Sequence, residues 1–143
     1  MQHEELVLLG AQADIALEAL RWTEDACHRC GLDAALAGEL AAAVIEAVNN
    51  ALEHGYRLAP GNVILALDSL SDRVVVTVTD SGTGMPAAPR REPPEPLAER
   101  GRGSLIMQRA CDEVHHDIRD GFQSVVLTKL RRGLTTRPDG GKP

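Results

Sequence analysis

A chain of 143 residues with 43% apolar residues is sized for one domain around a single core, and it is too apolar for wholesale disorder. Its formal net charge of −6 excludes a general affinity for phosphate backbones or anionic membrane surfaces, and with Trp22, Tyr56 and Phe122 as its only aromatics it has no ladder of rings on which bases could stack. Direct nucleic-acid contact and membrane association are therefore not expected, and any phosphate site has to be local.

The opening "EELVLLG" is short, apolar and closed by glycine, which reads as an edge or second-layer strand. "MQHEELVLLG" lacks the basic start, long apolar run and cleavage site of a signal peptide, and no apolar run nears the roughly 20 residues of a membrane span, so a cytoplasmic location is expected. "AQADIALEALRWTEDACHRCG" spaces Ala13, Leu17, Leu20 and Cys27 as one helix face and stops at Gly31. Asp33 is then the expected N-cap of a second helix running to about His54, with Gly55 as its stop. "VILALDSL" and "RVVVTVTD", rich in branched residues and flanking Ser71 and Asp72, read as a hairpin whose second strand ends at Asp80.

"SGTGMPAAPRREPPEPLAERGRG" follows, too dense in Gly, Pro, Arg and Glu to sustain a regular element, and reads as a long loop. "SLIMQRACDEV" reads as a helix, "VHHDIRD" and "FQSVVLTKL" as two strands, and "RRGLTTRPDGGKP" as a fraying tail. The order β, α, α, β, β, loop, α, β, β predicts an α+β two-layer sandwich, a mixed, mostly antiparallel sheet with helices on one face. One domain over residues 1–132 and a disordered tail over 133–143 are expected.

Three constellations carry candidate chemistry. In "EAVNNALEHGY" each helical residue turns about 100°, so from Glu46 the residues Asn50, His54, Glu53 and Asn49 fall within about 80°. Ala37, Val44, Val48 and Ala51 fall on the opposite side. A solvated face would show the same polarity, but asparagine is a poor helix former, and Lys, Glu or Gln would serve such a face better. In "VTDSGTGMP" a carboxylate, Asp80, ends a buried strand just before Gly82 and Gly84; such an Asp can accept from a base amino group beside backbone that a ligand can approach closely, although Asp, Ser and Gly also make ordinary turns. In "GRGSLIM" glycines precede a helix, where free N–H groups and the helix dipole attract phosphate oxygens; a flexible hinge is the alternative. Between Pro86 and Ser104 four Arg face three Glu, so this segment escapes the acidity of the whole.

Three cysteines are an odd number in a domain of a size that needs no disulfide, and reduced thiols are expected. Cys27 and Cys30 form a C-x-x-C pair for which Cys111, His115 and His116 could supply further zinc ligands, but two thiols three apart in a helix more often line a buried face.

In this order and separation, "EAVNNALEHGY", "DSGTGMP" and "GRGSLIMQRACDEV" resemble the N-box and two glycine boxes of the GHKL (Bergerat-fold) ATPase superfamily, whose members include gyrase, heat-shock protein 90, histidine kinases and the mismatch-repair protein MutL. Over residues 6 to 131 the chain looks in particular like the bacterial anti-sigma-factor serine/threonine-protein kinases. The resemblance implies ATP and Mg2+ as cofactors. It makes Glu46 the catalytic base, Asn50 a magnesium ligand through its side-chain oxygen, and Asp80 the partner of the adenine amino group. Gly82 and Gly84 would let the nucleotide lie close; Gly101, Arg102, Gly103 and Ser104 would wrap its phosphates; Ala87 to Arg100 would form the ATP lid, and His54 would orient the helix end. Ser104 stands where the family usually has a larger apolar residue. "GFQSVVLTK" lacks the family's Gly-Thr pair near the adenine, with Ser124 a candidate replacement for that Thr.

The implied function is phosphoryl transfer from ATP to a serine of an anti-anti-sigma factor, by a protein that otherwise holds a sigma factor, with homodimerisation common in the family. Two other readings remain at this stage: a catalytically silent nucleotide-binding partner-switching module, and a small metal module built on Cys27 and Cys30.

Overall fold

The computed structural model describes residues 2–9, 14–55, 62–82, 105–119 and 122–131. Strands β1 Gln2–Leu9, β2 Asn62–Ser69, β3 Arg73–Gly82, β4 Glu113–Arg119 and β5 Phe122–Leu130 form one sheet in the order β1-β2-β3-β5-β4. Helices α1 Ile15–Arg29 and α2 Ala34–Gly55 lie between β1 and β2 in sequence. Every pairing is antiparallel, so no parallel pair of the expected mixed sheet occurs among the described strands. The reason is the pair of helices: α1 carries the chain away and α2 brings it back, so β2 starts where β1 ended, with Leu9 opposite Asn62. The first strand is an edge strand, one of the two positions its short apolar run suggested.

Along β2 the side chains alternate between half-buried and buried, and cross-strand registry puts Leu8, Val63, Leu65, Leu67, Val76, Val78 and Leu127 on the face that the helices cover. α2 contributes Leu40, Val44 and Val48 to the same core, α1 contributes Ala19, Ala26 and Cys27, and Met107 joins from a short helical stretch at 105–110. α1 packs over β1 and along α2, while α2 packs over β3 and β5.

The buried face of α1 is Ile15, Ala19, Thr23, Ala26 and Cys27, not the Ala13, Leu17, Leu20 and Cys27 face expected; Leu17 is 44% exposed and Ala13 lies outside the described residues. Apolar residues occur nearly all round α1, so periodicity alone did not select a side. The side chosen presents small groups, which let the two helices approach closely, and Thr23 satisfies its hydroxyl by donating to the Ala19 carbonyl at 2.8 Å.

Both predicted helix boundaries at the α1–α2 joint hold. Gly31, at φ +79°, ends α1 with Gly31 N–H bonded to His28 O and Leu32 N–H to Cys27 O, and Leu32 is buried beside them. Asp33 caps α2 by accepting from Ala35 N–H at 3.1 Å. The third helix is shorter than "SLIMQRACDEV" predicted, because Asp112 N–H donates to Thr128 O and the Asp112 carboxylate accepts from Leu130 N–H. These two bonds to β5 draw the chain into β4 at Glu113, three residues after the helix stops.

Candidate functional site

The sheet has two distinguishable ends. One holds the β2–β3 turn, the end of β5 and the joint between the helices: the Arg131 guanidinium donates to Leu70 O at 3.1 Å, to Ser69 Oγ at 2.8 Å and to the O of Cys30, the residue that caps the end of α1, at 3.3 Å. α2 starts at this end and must finish at the other, since Gly55 is followed after six residues by Asn62 at the far end of β2.

Asp80 lies at that far end. It follows Val74, Val76 and Val78 in the alternation of β3, so it continues the buried row on the helix-covered face, but it is half-buried where those valines are buried. Its neighbours across the sheet are Val63 on β2 and Gln123 on β5. Just beyond it the register shifts: Val63 pairs with Asp80 and Asn62 with Gly82, leaving Ser81 as the extra residue of a β-bulge. β3 therefore continues two residues past its predicted end, and the bulge redirects the chain at the point where the first glycine motif begins.

Asn50 is about 24 Å along α2 from its start at 1.5 Å per residue, and Asp80 is about 23 Å along β3 at 3.3 Å per residue. The two elements leave the same end of the molecule, so Asn50 and Asp80 come to about the same level, with Glu46 one turn before Asn50. Glu46, Asn49 and Asn50 are half-buried, whereas Gly38, Glu39 and Ala42, on the same sector nearer the start of the helix, are exposed. A purely solvated stripe would stay exposed along its length. Burial also reaches further round α2 than the sequence pattern implied, since Ala43 and Ala47, about 60° and 100° from Glu46, are almost inaccessible, and Asn50 borders them.

Asn50 and Asp80, with Glu46 one turn earlier, thus lie toward the same end of the sheet, and Gly82 pairs with Asn62 at the end of β3. Gly84, Gly101, Arg102, Gly103 and Ser104, the lid expected over Ala87 to Arg100 and the tail over 133–143 lie outside the described residues, as do the side chains of Glu53 and His54. Ser124 does not stand beside Asp80. It pairs with Thr79, and their hydroxyls are 2.9 Å apart on the opposite face of the sheet. The residue on the Asp80 face is Gln123, whose amide both donates and accepts. Sequence could not choose between them, because a one-residue change of register exchanges the faces.

The donors on this flank of α2 are an amide oxygen and a carboxylate, hard oxygen ligands that fit magnesium. The cysteines lie elsewhere. Cys27 is buried in the core and Cys30 is half-buried, with its thiol donating to Cys27 O at 3.4 Å; burial pushes the Cys27 and Cys111 thiols up to about 12. Among the described residues no group of three or more His, Cys, Asp or Glu side chains could hold a metal ion. An open cleft of about 460 Å³ between β1 and α1, bordered by Leu6, Leu17 and Trp22, contains none of the candidate residues.

An antiparallel sheet with helices on one face makes this an α+β two-layer domain, with an Asp near the end of a buried strand and a Glu and Asn one turn apart on the covering helix as its candidate site residues. The chain belongs to the histidine kinase-like ATPase domain family, whose model matches residues 10–129. Among curated proteins it is similar to the anti-sigma F factor of Geobacillus stearothermophilus, at 38% identity over 103 residues, 68% of this chain and 64% of that protein. It is also similar to the anti-sigma F factor of Bacillus licheniformis, at 36% identity over 86 residues, 55% of this chain and 58% of that protein. The chain thus spans less than two thirds of the length of these relatives. Among solved structures it resembles the RsbU and RsbW domains of Rv1364c from Mycobacterium tuberculosis, with a TM-score of 0.66 and 20% identity over 92% of this chain and 33% of that one, a likeness of fold. The superfamily expected from the three motifs is therefore the one to which the chain belongs, and its sequence relatives are anti-sigma factors. No helix among the described residues is long and apolar enough to cross a membrane.

Proposed function

We propose that this chain is an ATP-dependent protein serine kinase and anti-sigma factor, which phosphorylates a serine of an anti-anti-sigma antagonist and otherwise sequesters a sigma factor. The observation that supports this reading is that half-buried Glu46 and Asn50 on α2 and half-buried Asp80 on β3 lie toward one end of the sheet. Family membership makes ATP the ligand, and the identity of the relatives supports the partners. In this reading Asp80 accepts from the adenine amino group, and Gly82 and Gly84 leave room for the base. The backbone of Gly101, Arg102, Gly103 and Ser104 binds the phosphates. Asn50 holds magnesium, which when bound neutralises phosphate charge. Glu46 orients and deprotonates the incoming serine hydroxyl. Residues 1–132 form the ATPase domain, 133–143 a tail, and the protein acts in the cytoplasm as a homodimer.

The test is transfer of labelled phosphate from Mg-ATP to an antagonist captured from the native cell, with the phosphoserine mapped. Glu46→Ala should bind ATP as wild type does and lose transfer by about 10²–10⁴-fold. Transfer by that variant at the wild-type rate would remove Glu46 from the chemistry. If no antagonist is phosphorylated while ATP still changes partner binding, the chain is a catalytically silent partner-switching module.

A further inference from the structure

Cys27 and Cys30 are nucleophilic groups that neither the proposed chemistry nor, among the described residues, a metal site uses. Cys27 lies in the last turn of α1 and Cys30 is its cap. Residues three apart on an α-helix have Cα atoms about 5 Å from each other. That falls within the span of about 4.4–6.8 Å that a disulfide bridges without backbone movement. Cys30 has already left helical backbone, at φ −100° and ψ 8°, and its N–H is shared between Ala26 O at 3.1 Å and Cys27 O at 3.2 Å, which tightens the turn over Cys27. Its thiol points back along the turn and donates to Cys27 O at 3.4 Å.

The turn is also held from outside. Arg29, between the two cysteines, donates twice to the Glu4 carboxylate on β1, at 2.6 and 3.0 Å; Arg131 donates to Cys30 O at 3.3 Å, and Leu32 N–H bonds to Cys27 O at 3.0 Å. A helix end fixed on three sides keeps its two thiols at this spacing instead of fraying. The thiols differ in access, and that difference orders their chemistry. Cys27 is fully covered, whereas Cys30 is half-buried. Burial pushes the Cys27 thiol up to about 12, opposed in part by the positive charge of Arg131. A reagent from solution therefore meets Cys30 first, and Cys27 is placed to attack second. Cys111, buried after the 105–110 helix, has no cysteine within one turn of it and serves as an internal control.

We propose that Cys27 and Cys30 are a reversible dithiol–disulfide site whose co-reactants are low-molecular-weight disulfides and thiols. The Cys30 thiolate attacks one sulfur of a disulfide RSSR, forming a mixed disulfide and expelling RS⁻, which takes up a proton equivalent to the one Cys30 lost. The Cys27 thiolate then attacks the Cys30 sulfur of the mixed disulfide and expels the second RS⁻, which is protonated in the same way. Two protein thiols are oxidised to one S–S bond, and one disulfide is reduced to two thiols. The site stands apart from the nucleotide-binding reading, since it lies at the helix joint, at the opposite end of the sheet from Asp80. Closing it links the turn through which Arg29 and Arg131 tie α1 to β1 and to the β2–β3 turn.

The test equilibrates the full native chain with oxidised glutathione at about pH 8, quenches it in acid, and counts free thiols after unfolding by alkylation and mass spectrometry. The count should fall from three to one, the survivor being Cys111, with Cys27 and Cys30 linked within one chain, and reduced glutathione should restore three. A glutathione adduct on Cys30 should appear first and then decay as Cys27 displaces it. Three thiols left free, an adduct on Cys30 that persists beside a free Cys27, or a bond between chains alone would each overturn the proposal. In Cys30→Ser, a near-isosteric change at a half-buried position, Cys27 should stay reduced under the same conditions. A disulfide from Cys27 to Cys111 in that variant, at the wild-type rate, would overturn the pairing.

Discussion

Two glycines, one ending α1 and one inside the first turns of α2, should respond to alanine with opposite signs. A Cβ placed on either Gly31 or Gly38 meets nothing within 4 Å, so neither substitution is decided by packing. Gly38 lies inside α2 with ordinary helical backbone and an exposed face. There alanine restricts the unfolded chain and suits the helix, worth about 0.5–1 kcal/mol of added stability. Gly31 holds φ +79° between the helices, a conformation that costs an L-residue about 1–2 kcal/mol. The restriction of the unfolded chain offsets part of that, leaving a loss of about 1 kcal/mol. For a domain of this size each change corresponds to about 3 °C in Tm, upward for Gly38→Ala and downward for Gly31→Ala. The double variant should return to within about 0.5 kcal/mol of wild type if the sites are independent. Urea unfolding followed by circular dichroism measures all three. A Gly31→Ala protein as stable as wild type would refute the left-handed stop between α1 and α2, and a destabilised Gly38→Ala would mean that this face of the helix is covered.

Arg131→Ala removes three hydrogen bonds that join α1, β2 and the β2–β3 turn; with the guanidinium half-exposed, the loss should be about 2 kcal/mol by urea midpoint, and a change below about 0.5 kcal/mol would show the staple to be inert. Hydrogen bonds to Asp68 and then to Glu5 hold the His3 imidazole above its ordinary 6.5. The folded value being the higher one, any stability from charged His3 is fully present below 6.5 and is lost as pH rises through the raised folded value. NMR titration should show Asp68→Asn bringing His3 down toward 6.5, and a wild-type His3 titrating at or below 6.5 would contradict the contact. With the Cys27 and Cys111 thiols pushed up to about 12 by burial, a thiol reagent at pH 8 should label Cys30 first and the other two only on unfolding; two fast thiols in native protein would show that α1 does not bury Cys27 as described.

Much of the architecture was legible because its signals are local. Valines at alternate positions of β3, Asp33 before an apolar helix and Gly31 after another each act through their own backbone geometry, and each lies where its pattern predicted. Glu46, Asn50 and Asp80 stand out as candidates for a second reason: their spacing within motifs resembles that of a known family. What the sequence misplaced or left open depended on partners distant in sequence. The end of the third helix was set by Asp112 reaching Thr128 and Leu130, the buried face of α1 by its contact with α2, and the residue beside Asp80 by the pairing of β3 with β5.

The sequence by itself determined the elements, the family and the residue types available for chemistry, since helix stops, strand alternation and motif spacing are properties of neighbouring residues. Tertiary structure alone decided toward which end of the sheet the candidate residues lie, that Gln123 and not Ser124 shares the face of Asp80, and that Lys129 is buried against Glu39 and Ala110. The physical reason is register: with a side-chain period of two, one residue of slip exchanges the faces of a strand, and only the pairing of β3 and β5 over a common core fixes it.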